Sequence, residues 1–170
     1  MTAAAAIIRR LTADDAEAYR DLRLDGLKQA ADAFSSTYEA EAGRPLEHFR
    51  DRAASLAIFG GFMGERLVGM AGYMRQDSPR MRHKGLLWGM YVRPEARRAN
   101  LGAALVQAVL DHAAGEVEQV CLAVALGNAA AIGLYQRLGF AAYGQEPRAL
   151  KGPDGYCDDL LMVRFLAAAD

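Results

Sequence analysis

Residues 92–105, VRPEARRANLGAAL, combine positive charge with residues that allow unusual backbone conformations, and they lie between two apolar runs. The chemistry that suits such a stretch is anion binding, because unpaired amides at a helix N-terminus and the helix dipole favour a negative charge. Asn100 and Gly102 suit a backbone that turns left-handed or approaches a ligand closely, and Arg97 and Arg98 add charge. An ordinary strand-to-helix loop with surface arginines has the same composition. This stretch alone therefore leaves both interpretations open.

A second stretch, residues 128–140, gives a helix cap, a Leu-Tyr pair and a Gly-Phe exit at fixed spacings: NAAAIGLYQRLGF. Together the two stretches resemble the GNAT superfamily of acyl-CoA-dependent N-acetyltransferases. The family pattern is a hydrophobic-Val-x-Pro, then [Q/R]xxGx[G/A], and after another strand NxxAxxLYxxxGF. The positions that match are Val92, Pro94, Arg97, Gly102, Asn128, Ala131, Leu134, Tyr135, Gly139 and Phe140. The chain departs from the pattern at Asn100, where the family usually has glycine.

The resemblance implies acetyl-CoA as the co-substrate. Amides of the first stretch would hold the CoA pyrophosphate, and pantetheine would lie against the preceding strand, in a gap where that strand splays from its parallel neighbour. The implied cofactor-binding residues are Met90, Tyr91, Val92, Arg97, Arg98, Ala99, Asn100, Leu101, Gly102, Ala103, Asn128 and Tyr135. Asparagine tolerates the left-handed backbone better than other non-glycine residues, so we expect the loop to be kept.

The resemblance also implies a catalytic role for Tyr135, which matches the tyrosine that protonates the leaving CoA sulfur or hydrogen-bonds to it. The reference pKa of a phenol, about 10, lies above that of a thiol, about 8.5, so a hydrogen bond to the thiolate is the surer role. Two simpler interpretations remain open. Tyr135 would also suit the core face of an amphipathic helix, and Asn128 would serve as a helix N-cap whether or not it reaches the cofactor.

The acceptor site is left to the first helix, the loop after it and the last pair of strands. Residues 14–41 carry eight acidic and three basic side chains, so a cationic amine is predicted, although a solvated acidic helix would have the same sequence. Rings, hydroxyls and carboxylates there make up the predicted substrate-binding set: Phe34, Ser36, Tyr38, Glu39, Asp158 and Asp159. The general base stays open among Glu39, Glu41, His83, Asp158 and Asp159.

The elements that position these residues follow from hydrophobic periodicity and turn signals. Strands are predicted at 7–10, 57–63, 67–76, 84–92, 120–125, 140–149 and 157–165, and helices at 12–31, 45–54, 101–114 and 128–138. The strand–helix–strand succession over 84–125 implies a right-handed crossover and a parallel pair. The predicted fold is α/β and GNAT-like: one domain over 1–170, with a mostly antiparallel mixed sheet, a splayed parallel central strand pair and about four flanking helices.

Composition limits the possible partners. Twenty basic and twenty-one acidic residues give a net charge near zero, which argues against nucleic-acid or membrane binding. The N-terminus lacks the basic region of a signal peptide, so reduced Cys121 and Cys157 and a cytoplasmic location are expected. The three histidines show no metal spacing, and no metal is predicted. The predicted activity is acetyl transfer from acetyl-CoA to a primary amine, and a homodimer is the oligomeric state considered. A non-catalytic acyl-CoA-binding sensor is the alternative.

Overall fold

The computed structural model describes residues 6–167, except for the side chain of Arg98. Seven strands of this described part form one sheet: β1 (Ile7–Arg10), β2 (Ala57–Met63), β3 (Arg66–Arg75), β4 (Lys84–Val92), β5 (Gln119–Ala125), β6 (Ala141–Gly152) and β7 (Gly155–Phe165). Their order is β1-β2-β3-β4-β5-β7-β6, and the only parallel pair among them is β4–β5. The predicted mixed, mostly antiparallel sheet with a central parallel pair is therefore confirmed.

Within residues 6–167, five α-helices flank the sheet where about four were predicted: α1 (Ala16–Gln29), α2 (Tyr38–Ala42), α3 (Leu46–Ser55), α4 (Leu101–Ala113) and α5 (Ala129–Arg137). The additional helix, α2, lies in a segment that was predicted to be a loop. The Thr37 hydroxyl caps and stabilises its first turn by accepting a hydrogen bond from the Ala40 amide at 3.2 Å. Short 3₁₀ segments occur at Ala13–Asp15, Ala31–Ala33 and Pro94–Ala99.

Apolar residues cover both faces of the sheet. On one face α4 packs on β3 and β4 through Leu105, Val106 and Val109, all fully buried. On the other face α1 and α3 bring Tyr19 and Phe49 together, with their ring centroids 6.1 Å apart. Alternate residues of β4 serve the two faces: Tyr91 belongs to the second cluster and Val92 to the first. The strand that leads to the predicted phosphate loop is thus fixed from both sides.

Among residues 6–167, no helix combines the length and the apolar character needed to cross a membrane. The same described residues contain no group of three or more His, Cys, Asp or Glu side chains arranged to hold a metal ion.

Candidate active site

The sheet opens between β4 and β5. These strands pair only at Lys84–Gln119, Gly85–Val120 and Leu86–Cys121, and beyond Leu86 their backbones diverge. A bulge in β4 contributes to this opening. Trp88 pairs with Gly72 and Tyr91 pairs with Met70, so β4 has one residue more than β3 between these two pairs. Within the bulge Gly89 has a φ of 63°, a conformation that strongly favours glycine. The predicted splay is present, and a β-bulge at Gly89 accompanies it.

The loop after β4 has the backbone that its sequence predicts. Asn100 is left-handed, with φ 55° and ψ 19°, and α4 begins at the next residue. Arg97 connects this loop to the end of β4, because its Nε donates a hydrogen bond to the Val92 carbonyl at 3.0 Å. The first amides of α4 have no carbonyl partner within their own helix, so they are available to an anion.

A cavity of about 480 Å³, here called the cofactor cavity, lies between this loop, the end of β4 and α5. Nine of the twelve predicted cofactor-binding residues line it: Met90, Tyr91, Val92, Arg97, Asn100, Gly102, Ala103, Asn128 and Tyr135. Of the other three, Leu101 points into the core with 1% of its surface exposed, and Ala99 is exposed in the 3₁₀ segment. The side chain of Arg98 lies outside the described part of the chain.

Tyr91 contributes to this cavity differently from its neighbours. Its hydroxyl donates to Asp25 at 2.7 Å, and Asp25 also pairs with Arg93 at 3.1 Å. Burial and the Asp25 carboxylate raise the pKa of Tyr91 to about 12. Because the hydroxyl is engaged by α1, the groups that Tyr91 can offer to a cofactor are those of its main chain.

A second cavity, the acceptor-side cavity, has a volume of about 270 Å³ and extends from the cofactor cavity towards β7 and Phe34. Tyr135 and Asn128 line both cavities. Asn128 also caps α5, since its Oδ1 accepts from the Ala131 amide at 3.1 Å. Tyr135 is only 5% exposed, its ring packs edge-on against Phe140 at 5.8 Å, and burial raises its pKa to about 12. Its hydroxyl makes no hydrogen bond within residues 6–167.

An outer groove of about 920 Å³ continues from the acceptor-side cavity, between the α1–α2 connection and the β6–β7 hairpin. It contains Ser36, Tyr38 and Glu39 of the predicted substrate set, whereas Phe34 lines both the groove and the acceptor-side cavity. The Tyr38 ring is covered by the Lys28 ammonium at 4.2 Å. The acceptor residues predicted from the loop therefore divide between an inner cavity and an open groove.

The two neighbouring carboxylates of β7 differ in their surroundings. Asp158 is exposed, and its side chain accepts a hydrogen bond from the backbone amide of Arg148 in β6 at 2.7 Å. Arg148 has a left-handed backbone, which this hydrogen bond stabilises. Asp159 is only 9% exposed and lines the acceptor-side cavity, and its Oδ1 has no hydrogen-bond partner among the described residues. Burial and the nearby Glu146 and Asp158 carboxylates raise the pKa of Asp159. Of this pair, the structure brings only Asp159 to the cavity.

Two of the candidate bases occupy positions that do not suit the role. Glu41 is bound by Arg23 in a buried bidentate pair, with Nε–Oε2 at 2.9 Å and Nη2–Oε1 at 2.7 Å. Burial alone would raise its pKa, but hydrogen bonds from Arg23 and Ser36 hold that pKa below the ordinary value. His83 precedes β4 at the end remote from the loop, roughly 23 Å from Met90 along the strand.

The acidic character predicted for residues 14–41 is partly neutralised. Asp15, Asp25 and Glu41 pair with Arg9, Arg93 and Arg23. Sequence reasoning missed Arg23, which lines the acceptor-side cavity, and Arg137, which lines the cofactor cavity. A signal for Arg23 existed, because it lies four residues after Tyr19 and four before Leu27 on the apolar face of α1.

A sheet that opens beside a left-handed loop, with a buried tyrosine where two cavities meet, is the arrangement that the sequence motifs predict. The chain matches the model of the Acetyltransferase (GNAT) family over residues 24–140, and it therefore belongs to that family. Membership confirms the predicted family.

Curated relatives match a shorter part of the chain. A stretch of 60 residues is 43% identical to L-methionine sulfoximine/L-methionine sulfone acetyltransferase of Pseudomonas aeruginosa, covering 35% of each chain. A stretch of 83 residues is 37% identical to human N-acetyltransferase 8, covering 48% of this chain and 37% of that protein. The chain thus aligns with little more than a third of the length of these relatives.

Solved structures match nearly the whole fold. A protein of Salmonella typhimurium, solved with its cofactor acetyl-CoA, superposes with a TM-score of 0.83 at 18% identity, covering 97% of this chain and 96% of that one. Ribosomal-protein-alanine N-acetyltransferase of Brucella melitensis superposes with a TM-score of 0.80 at 24% identity, covering 94% and 99%. These likenesses confirm the predicted fold class.

Proposed function

We propose that this protein transfers the acetyl group of acetyl-CoA to a primary amine, by direct attack within a ternary complex. The observation that carries the proposal is the meeting of the cofactor cavity and the acceptor-side cavity at Tyr135. One cavity begins at a helix N-terminus suited to phosphates, and the other ends at a buried carboxylate suited to an amine. Family membership supports acetyl-CoA as the donor.

In the proposed complex the α4 amides and the left-handed turn at Asn100 hold the pyrophosphate, and Arg97 and Arg137 add positive charge beside it. The pantetheine arm lies along Met90 and Tyr91, in the gap where β4 no longer pairs with β5. A backbone amide near the end of β4 polarises the thioester carbonyl. This arrangement uses the main chain, so it depends on backbone shape more than on side-chain identity.

The reaction requires a neutral amine and a stabilised thiolate. The acceptor ammonium loses one proton, its nitrogen lone pair forms the C–N bond, and the C–S bond breaks with its electron pair on sulfur. The buried phenol of Tyr135 donates a hydrogen bond to that sulfur. Overall, a primary ammonium and acetyl-CoA give an acetamide, free CoA thiol and one proton.

The names of similar proteins support a primary amine as the acceptor. One acts on amino-acid derivatives, L-methionine sulfoximine and L-methionine sulfone, and another on an alanine of a ribosomal protein. The acceptor-side cavity and the outer groove together allow either a small amine or the amine of a peptide.

The direct test measures acetyl-CoA-dependent release of free thiol with a library of amines, amino acids and peptides. Mass spectrometry of the products shows whether the acetyl group is on nitrogen. Turnover with at least one amine, absent without acetyl-CoA, is the expected result. Tight acetyl-CoA binding by calorimetry, with no turnover for any acceptor, would instead favour the sensor.

A further inference from the structure

Two buried charged side chains of opposite sign line the acceptor-side cavity. Arg23 comes from α1 and is 6% exposed, and Asp159 comes from β7 and is 9% exposed. Buried charges are normally satisfied by partners within the protein. In Arg23, Glu41 satisfies two nitrogens and leaves the third without a partner among the described residues, and in Asp159 the shielded Oδ1 accepts no hydrogen bond from them. This combination gives the cavity a specific chemical character.

The Arg23 guanidinium is held by Glu41 through two of its three nitrogens. Glu41 binds its Nε and Nη2, and its guanidinium carbon lies 4.9 Å from the Phe34 ring centroid. The third nitrogen, Nη1, has no hydrogen-bond partner among residues 6–167. A Cβ atom placed on Gly89 would lie 3.5 Å from Nη1, so the glycine of the bulge keeps the space beside this nitrogen open. The anchored guanidinium therefore presents hydrogen-bond donors next to β4, at the level of the cavity.

Asp159 presents the complementary group. Its Oδ1 is shielded from solvent and accepts no hydrogen bond from the described protein. It lies on β7 opposite Ala125, one strand beyond the gap that separates β5 from β4. An ammonium group would supply both the hydrogen-bond donor and the positive charge that this carboxylate lacks. Asp159 also stands near Tyr135 as a lining residue of the same cavity.

We propose that the acceptor is a small zwitterion of the α-amino-acid type, with its ammonium on Asp159 and its carboxylate on the Nη1 donors of Arg23. The inference rests on the proposed function and narrows its acceptor class. It also revises the expectation of a purely cationic amine, because a second positive charge would meet the guanidinium instead of a carboxylate. The cavity, at about 270 Å³, is of a size for such a molecule, and its side chain would extend past Phe34 into the outer groove.

The test compares matched acceptors on the wild-type full chain at saturating acetyl-CoA. After a screen of L-amino acids, the best one is compared with its α-amide, its decarboxylated amine and 1,4-diaminobutane. We expect kcat/KM for the amino acid to exceed each of the others by about 10-fold or more, the effect of one charge-assisted hydrogen bond. The amide is a weaker base than the amino acid and the decarboxylated amine a stronger one. A preference over both therefore reports the carboxylate and not the basicity of the nitrogen.

Variants then assign the two charges. Arg23→Met is combined with Glu41→Leu, because removing one partner would leave the other charge buried and unpaired. In this double variant the preference for the amino acid over its amide should fall to within about 3-fold, with little change for the amide. Asp159→Asn should lower kcat/KM for the amino acid and the amide alike. Asp77 is an exposed carboxylate in the connection between β3 and β4 and lines none of the three cavities, so Asp77→Asn should lower neither.

The outcomes separate the two levels of the proposal. Equal or faster acetylation of the amide or the diamine by wild type overturns the zwitterion while leaving amine acetylation intact. An unchanged preference in the folded double variant removes Arg23 from recognition. The acceptor series on wild type gives its answer even if the double variant does not fold. No turnover with any amine, despite acetyl-CoA binding, overturns the proposed acetyl transfer itself.

Discussion

Replacing Tyr135 by phenylalanine removes one hydroxyl and leaves the packing of the ring in place. The edge-on contact with Phe140 at 5.8 Å does not involve the hydroxyl. The hydroxyl also has no hydrogen-bond partner among residues 6–167, so its loss breaks no bond within that part of the fold. We expect the free energy of unfolding of Tyr135→Phe to stay within about 0.5 kcal/mol of wild type or to increase. Any loss of activity then reports chemistry and not folding.

The size of that loss follows from the burial of the phenol. With a pKa of about 12, Tyr135 would transfer its proton to a thiolate of pKa about 8.5 at a cost of about 5 kcal/mol. The phenol therefore stays protonated and acts as a hydrogen-bond donor to the developing thiolate. A hydrogen bond to a charged group is worth about 1.5–3 kcal/mol, so kcat should fall by about 10- to 150-fold.

The assay is thiol release at saturating acceptor, with the KM for acetyl-CoA measured in parallel. The KM should change little, because the hydrogen bond forms with the leaving sulfur in the transition state. Tyr143→Phe is the matched control, since that tyrosine is 59% exposed on β6. A kcat for Tyr135→Phe within about 2-fold of wild type would refute the leaving-group role and leave Tyr135 with a packing role only.

Three other predictions test the loop and the buried ion pair. Asn100→Gly should be tolerated and Asn100→Val should weaken CoA binding in calorimetry by about 1–2 kcal/mol, because a β-branched residue strains a left-handed backbone; equal affinities would contradict this. Gly102→Val should weaken CoA binding more than Arg98→Ala, since even its Cβ would lie 3.2 Å from Leu134 at the edge of the cofactor cavity; the reverse order would contradict it. The Glu41 pKa is lower in the folded protein than in the unfolded chain, so its ion pair adds stability above about pH 4.3 that is lost as pH falls through the folded pKa. Urea unfolding at about pH 5 and about pH 3 should therefore show a larger loss for wild type than for the double variant Arg23→Met/Glu41→Leu, and equal losses would contradict the pairing.

The part of the candidate site around the cofactor cavity could be predicted from the sequence because it depends on backbone shape. The left-handed turn at Asn100 and the cap at Asn128 each need a particular residue type at one place in the chain. Strand and helix limits there agree with the structure to within about one residue for β4, β5, α4 and α5. These features depend on the backbone conformation of a few neighbouring residues, so the types of those residues predict them.

The acceptor half was harder because it depends on contacts between distant segments. Asp158 and Asp159 are equivalent in the sequence, and only the pairing of β7 with β5 and β6 sends one to solvent and the other to the cavity. Glu41 looked like a free acid because its partner, Arg23, lies eighteen positions earlier. Helix α2 escaped notice since five residues are too few to show a helical period.

The short ladder between β4 and β5 has a consequence for cohesion. Three residue pairs join the half of the sheet formed by β1–β4 to the half formed by β5–β7, and the inner edges of both strands are left open beyond them. In the proposed reaction the amide-bearing arm of the co-substrate would lie in that opening and take the place of a strand. The product CoA carries the same arm, so the opening between β4 and β5 would stay occupied during the reaction and become empty only when CoA dissociates. A ligand that binds only the folded state adds about 1.4 kcal/mol of stability for each tenfold rise of its concentration above Kd. The protein would then be least tightly held together in the interval between turnovers, and its resistance to unfolding would follow the supply of acetyl-CoA.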